Sequence, residues 1–293
     1  METNLNNNDI HSKILLELNP ITIVAGSGPC GIYYDGSYIW VANDGGFGDI
    51  SKINPITNTI IATITINGVP LDVCYDGSYI WVTNWGSNNI FKINPTTNNI
   101  EAIIKVGIKP REICYDGSYI WVTNWGSNTI SKINPNTNSI EATINVGKGP
   151  WGICYDGSYI WIANLSSNNV SKVDPITNSV IATVDIGTYP NSICFDSKYI
   201  WVTNNDSISK IDSTINNVIA TIDIGNNPID IYYNSNFIWV ASWDSNTVSK
   251  IDPITNNIIE TINVGRNPRS ICSDGKYIWV TNYSSDTISK ILM

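Results

Sequence analysis

Histidine is almost missing from this chain of 293 residues: the only one is His11, ahead of the first recognisable repeat. A histidine-based catalytic triad, a two-histidine zinc site and a histidine general base are therefore excluded by inventory. No apolar run approaches the roughly 18 residues that a membrane-spanning helix needs. Charge is sparse as well, at 14% of residues, and the net charge of −9 leaves no surplus of basic side chains to displace counterions. Neither nucleic acid nor an anionic membrane is thus an expected partner. The opening METNLNNNDIHSK lacks the basic start and apolar stretch of a secretory signal, so the expectation is a cytoplasmic protein.

What is abundant is the vocabulary of strands and tight turns. Val, Ile, Thr, Tyr and Trp recur among Asn, Asp, Gly and Pro, which predicts an all-β chain. Seven tryptophans, Trp40, Trp81, Trp121, Trp161, Trp201, Trp239 and Trp279, follow one another at spacings of 41, 40, 40, 40, 38 and 40. Each marks one copy of a repeat. A copy runs through a proline turn (Pro29, Pro70, Pro110, Pro150, Pro190, Pro228, Pro268) and then four short runs such as EICYDGS, YIWVTN, ISKIN and IEATINVG. Four strands of about five or six residues with short turns fill a unit the size of a propeller blade.

The turns are read from their residues. Asp-Gly between the first and second strands (Asp76-Gly77, Asp116-Gly117, Asp156-Gly157) signals a hairpin in which glycine takes positive φ. Ahead of the prolines stand Gly26, Gly107, Gly147, Gly187, Gly225 and Gly265, with Asn67 as the exception, and both residue types are expected to supply left-handed backbone. YIWVTN is apolar on consecutive residues, which predicts a strand packed on both faces, here by neighbouring blades. The chain ends on TISKILM, a third strand without a fourth, and residues 21 to 29, ITIVAGSGP, align with the fourth strand TINVGRNP. The two ends complete each other, so the expected fold is a seven-bladed β-propeller with four antiparallel strands per blade. An N-terminal outer strand closes the ring on the C-terminal blade. The expected organisation is a flexible arm over residues 1–13 and a single propeller over residues 14–293.

The unit Y/F-I-W-V-T/A-N, S-K-I-D/N-P-x-T-N, I-x-x-I-x-V-G-x-x-P resembles the YVTN-type β-propeller repeat and covers nearly the whole chain. Repeats of this type occur in surface-layer proteins, in binding proteins and in relatives of streptogramin B lyase, so the resemblance implies an architecture and leaves the activity open. The lyase relatives depend on histidines at the propeller mouth, and no residue here inherits that role.

Any residue type that recurs at one repeat position is most simply a blade-building part. Cys74, Cys114, Cys154, Cys194 and Cys272 share such a position, with Tyr33 and Tyr232 in the other two blades, and read as unpaired thiols packed between blades; Cys30 alone is out of register. Free thiols also suit a reducing compartment. Lys52, Lys92, Lys132, Lys172, Lys210, Lys250 and Lys290 read as solvated positions that protect strand edges. Asp35, Asp76, Asp116, Asp156, Asp196 and Asp274 read as turn formers, and nothing has the spacing of a calcium loop. No metal or other cofactor is expected.

The departures from the repeat carry the functional reading. VTNWGSN occurs at residues 82–88 and again at 122–128, putting Trp85 and Trp125 among loop formers, and Trp151 and Trp243 are likewise outside the ruler. The turn after the second strand and the turn before the first open on one face of a propeller, around its channel. Tyr283, Tyr189 and Phe47 share that face, with Lys109, Arg111, Lys148, Arg266 and Arg269 as cations and Asp72, Glu112 and Asp230 beside the channel. Aromatic anchors next to charges are the composition of a recognition surface. A non-enzymatic propeller that binds a carbohydrate, peptide or small molecule through Trp85, Trp125, Trp151, Trp243, Tyr283, Arg111, Glu112, Asp72, Asp230 and Arg269 is the favoured reading. The alternatives are a lyase- or hydrolase-like enzyme using the channel-mouth carboxylates, and a structural assembly repeat.

Overall fold

The seven copies fold into seven four-stranded antiparallel sheets, each in simple sequential order except the last, in which Ile21–Val24 lies beside Thr287–Leu292, Tyr277–Asn282 and Pro268–Ser273. A computed structural model describes residues 20–225 and 227–293. The expected arm over residues 1–13, His11 and the expected propeller start at residue 14 lie outside the described residues. What is described is a seven-bladed β-propeller, and its ring is closed as the two chain ends imply: Ile21 pairs with Lys290 and Ile23 with Ile288.

The consecutive apolar residues of the second strand have a direct cause. Ile120–Asn124 is buried at all five positions, because alternate side chains enter two different interfaces. Ile120 and Val122 pack against Trp81 of the preceding blade, whereas Trp121 packs against Ile160 and Ile162 of the following one. The same exchange recurs at every interface, and at the closing one Trp279 meets Ile39 and Val41. Among the described residues seven separate apolar clusters thus take the place of one central core, each holding one ruler tryptophan. Truncating such a tryptophan to alanine costs about 3–5 kcal/mol in buried settings.

The indole N–H is satisfied locally in six of the seven ruler tryptophans. In blade 3 one oxygen of Asp116 accepts the backbone N–H groups of Ser118 and Tyr119, closing the hairpin turn, and the other accepts Trp121 Nε1 at 2.7 Å. Asp35, Asp76, Asp156, Asp196 and Asp274 repeat this pattern. Blade 6 has Asn234 instead. Its oxygen still holds the turn, but an amide has only one acceptor atom, and Trp239 Nε1 is buried without a partner. Asn234→Asp should therefore raise stability by about 1–2 kcal/mol, read as an upward shift in the urea midpoint; an unchanged or lowered midpoint would contradict the account.

The cysteines are unpaired as expected, and the five that share a repeat position sit in the inter-blade clusters, for example Cys74 with Trp81 and Cys272 with Trp279. The lysines contradict the solvated-edge expectation. Lys52, Lys92, Lys132, Lys172, Lys210 and Lys290 are buried. Lys132 Nζ lies 4.0 Å from the Tyr119 ring centre and donates to the Pro175 carbonyl of the next blade at 2.7 Å. Lys52, Lys92, Lys210 and Lys290 reach Pro95, Pro135, Pro253 and Pro55 in the same way, and Lys172 reaches the Ser213 carbonyl. These side chains are clamps between blades, not guards at edges. A repeating Lys in a third strand looks the same in sequence whether its head meets water or a carbonyl one blade away.

The glycines before the prolines also differ from expectation. Hairpin glycines such as Gly77 and Gly117 do have positive φ, but Gly107 and Gly147 do not. They are glycines because a Cβ would stand 2.5 Å from Asn124 Cγ and Asn164 Cγ, the asparagines that end the second strands. In blade 6 Ser242 replaces that asparagine, and Gly225 has nothing within 4 Å and takes φ 60°. Left-handed backbone falls mostly on the residue directly before proline, as at Lys109 and Tyr189.

Candidate functional site

Seven first strands, one per blade, run down the axis and enclose a cavity of about 560 Å3. Six begin at their proline and the fifth, Ile193–Phe195, just after Pro190, so the first and second residues after the proline lie at the mouth. Threonines near the end of the second strands fix this level. Thr123 accepts the Glu112 N–H at 2.9 Å and donates to the Trp151 carbonyl of blade 4 at 2.8 Å. Thr83 does the same between Asp72 and Arg111, and Thr281 donates to the Cys30 carbonyl. These threonines were not singled out from sequence, although their replacement by Ala42, Ala163 and Ala241 in three of the seven copies was the available signal.

Of the ten candidate site residues, Asp72, Arg111, Glu112, Trp151, Asp230 and Arg269 line the cavity. Trp85, Trp125, Trp243 and Tyr283 do not line it. They stand farther out on the same face, in two groups. Trp85 and Trp125 pack with ring centres 5.4 Å apart, and Lys109 Nζ lies 5.2 and 5.1 Å from them. Trp243 and Tyr283 pair at 5.6 Å under the Arg269 guanidinium. Phe47 and Tyr189 are exposed, and Arg266 is held by the Ser284 carbonyl. The tryptophans of the duplicated VTNWGSN are thus half-buried partners of each other and of a lysine. Such contacts are worth about 0.5–1.5 kcal/mol beyond area burial.

The three carboxyls serve the ring first. Asp72 accepts the Ile113 N–H of blade 3, Glu112 the Ile153 N–H of blade 4 and Asp230 the Ile271 N–H of blade 7. Ile113 and Ile153 lie on the innermost strands, opposite Val122 and Ile162 at positions that exchange no backbone bonds, so their N–H groups point off the free edge and a carboxyl from the preceding blade supplies the acceptor. Ser192 Oγ adds a bond to Asp230 at 2.5 Å. Burial pushes the Asp72 carboxyl up to about 7, with the Asp230 charge adding to the rise and N–H bonds from Ile113 and Val73 opposing it. Burial also raises Glu112 strongly, with Asp72 and Asp230 adding to it, and raises Asp230 against the Ser192 hydroxyl and the Ile271 N–H.

The sign of the consequence follows from proton linkage. A carboxyl whose folded-state affinity exceeds the unfolded one holds a proton that unfolding would release. Stability should therefore fall as pH rises from about 4 to about 7, by up to about 1.4 kcal/mol per pH unit for each such group. Asp72→Asn keeps an acceptor for Ile113 and should flatten that slope. Urea midpoints between pH 4 and pH 7.5 would show it, and a pH-independent midpoint in the parent chain would refute it.

Lower in the channel the repeated cysteines meet Tyr33 and Tyr232. Burial raises all of these, Tyr232 up to about 12, so none offers an anion at neutral pH. Cys30 lies at the mouth; its thiol donates to the Gly28 carbonyl and burial pushes it up to about 12. Among the described residues no group of three or more His, Cys, Asp or Glu side chains is placed to hold a metal ion. No helix among them is long and apolar enough to cross a membrane.

The chain is a β-propeller whose individual character lies in the mouth of its channel. Its architecture is similar to a hydrazine synthase chain of Kuenenia stuttgartiensis, with a TM-score of 0.81 at 19% identity over 92% of this chain and 97% of that one. It is equally similar to a streptogramin B lyase, TM-score 0.79 at 20% identity over 93% and 96%. A catalytically inactive virginiamycin B lyase from Staphylococcus aureus with quinupristin gives TM-score 0.81 at 21% identity over 94% and 99%. No family model matches the sequence, and no curated protein matches it. At these identities the likeness is one of fold.

Proposed function

We propose that this protein is a non-enzymatic binding propeller of YVTN type that takes a carbohydrate, peptide or small molecule at the channel mouth. One observation carries the reading: two groups of cations and aromatic rings flank a cavity of about 560 Å3 on the face where the seven copies differ. Trp151 and Arg111 form the inner contact, and Trp85, Trp125, Trp243 and Tyr283 form the outer one. Asp72, Glu112, Asp230 and Arg269 supply polar groups that fix orientation.

The lyase among the structural neighbours and the raised Asp72 carboxyl favour a second reading, in which the acids act as proton donors. Against it, each acid already accepts a backbone N–H from the next blade. Titration of glycans, peptides and metabolites with tryptophan fluorescence tests the binding reading. Trp125→Ala combined with Trp151→Ala should abolish any quenching while the seven ruler tryptophans keep the fold. Full quenching in that double variant would remove the proposal, and turnover lost in Asp72→Asn would favour the enzymatic one.

A further inference from the structure

Arg111 is the most anomalous side chain of the mouth. It is 8% exposed, its Nε is buried without an acceptor, and among the described residues its guanidinium makes neither a hydrogen bond nor an ion pair. A buried charge left this way is costly, and natural interiors rarely retain one without a purpose. Its position is nonetheless fixed. The guanidinium carbon lies 3.7 Å from the Trp151 ring centre, so its plane is backed by an indole and its terminal nitrogens retain access to the cavity that Arg111 lines. The Thr83 hydroxyl bond to the Arg111 carbonyl and the Thr123 bond to the Trp151 carbonyl hold both backbones in place.

The neighbours sharpen the picture. Arg269, the equivalent residue of blade 7, is close enough to act on Arg111 through its charge, as are Glu112, Asp72 and Cys30. Yet Glu112 and Asp72 each turn one oxygen to a backbone N–H of the next blade, and burial raises both carboxyls. Burial also pulls the Arg111 guanidinium down to about 9, which leaves it charged at neutral pH.

We propose that the channel mouth is an oxyanion-recognition site. A small organic ligand enters with its carboxylate or phosphate against the guanidinium fork of Arg111, and its body rests beside Trp151. Arg269 adds a second positive charge from the opposite side. The proposal rests on the binding reading above and narrows its ligand class. Arginine's planar fork matches the paired oxygens of either group, and an aromatic backing holds that fork at little entropic cost.

Benzoate, inorganic phosphate and the neutral isostere benzamide are the probes, titrated into the full chain. The readout is the indole N–H signals of an 15N-labelled sample, with the Trp151 signal assigned through Trp151→Phe and those of the seven ruler tryptophans as an internal check on folding. Benzoate or phosphate should shift the Trp151 signal saturably, and benzamide should not. A response to benzoate alone assigns a carboxylate ligand, and a response to phosphate alone assigns a phosphorylated one. Arg111→Met should weaken binding tenfold or more, Arg111→Lys should weaken it less, and the free Arg111→Met protein should melt at a higher temperature than the parent because an unpaired buried charge is gone. A melting temperature that falls in Arg111→Met would assign the side chain a structural role and overturn the proposal, as would anion binding unchanged in that variant. Benzamide binding as well as benzoate would overturn the oxyanion class and leave the binding reading standing. Absence of any response at Trp151 to the anions, and equally to neutral sugars and peptides, would end both.

Discussion

Removal of residues 1–25 should lower the melting temperature by about ten degrees or more and broaden the transition. Those residues include Ile21–Val24, the outer strand of the closing sheet, which comes from the opposite end of the chain to its other three strands. Ile23 is only 5% exposed and packs with Ile39, Val41, Trp279 and Ile288, so it belongs to the interface between blades 7 and 1. The Ala25 N–H also bonds to the Asp286 carbonyl across the seam. Deletion removes an apolar side chain worth about 1.5–3 kcal/mol and a ladder of backbone bonds, and it leaves Thr287–Leu292 as a bare edge ready to pair with another chain. Ile23→Asp should move stability in the same direction without shortening the chain. A peptide spanning residues 20–28 should restore part of the loss when added to the truncated protein. Unaltered melting in both variants would mean that the ring does not depend on its seam, and the gathering of blades 2, 3, 4, 6 and 7 around one mouth would lose its physical basis.

The fold was legible because its signals are local and repeated seven times. Asp-Gly gives the hairpin, YIWVTN gives a strand packed on both faces, and the truncated last copy beside an orphan first strand gives the closure. Three readings needed coordinates because their causes lie one blade away. The Lys132 ammonium meets a carbonyl 43 residues distant, Gly107 is dictated by the side chain of Asn124, and Glu112 answers a free-edge N–H of the next sheet. The candidate site was legible as a face and a set of residues, since loop tryptophans and variable charges depart from the repeat. Its division into an inner ring with Arg111 on Trp151, and two outer groups led by Lys109 and Arg269, was not. That division depends on how far each side chain reaches across the mouth, and spacing along the chain carries no record of it.

Lys132→Met should destabilise the protein by about 1–3 kcal/mol, and Lys250→Met by less than about 1 kcal/mol. The contrast isolates the clamp from the lysine itself. Both side chains occupy the same repeat position beside an aromatic residue, Tyr119 or Phe237, at 4.0 and 4.2 Å, and methionine preserves most of the apolar stem of each. Lys132 Nζ has the Pro175 carbonyl at 2.7 Å and the Asn178 side chain at 3.4 Å. Lys250 has no such acceptor among the described residues, because the turn that would provide it joins the third and outer strands of the next blade. In blade 7 those strands are Thr287–Leu292 and Ile21–Val24, which no hairpin connects. The seventh clamp, absent among the described residues, is therefore lost to closing the ring with Ile21–Val24. A lysine-directed acylating reagent should give the same ranking by mass spectrometry, modifying Lys250 well before the six buried lysines. Equal losses of stability in the two variants, or faster labelling of Lys132, would show that burial beside the aromatic ring and not the inter-blade carbonyl is what holds these side chains.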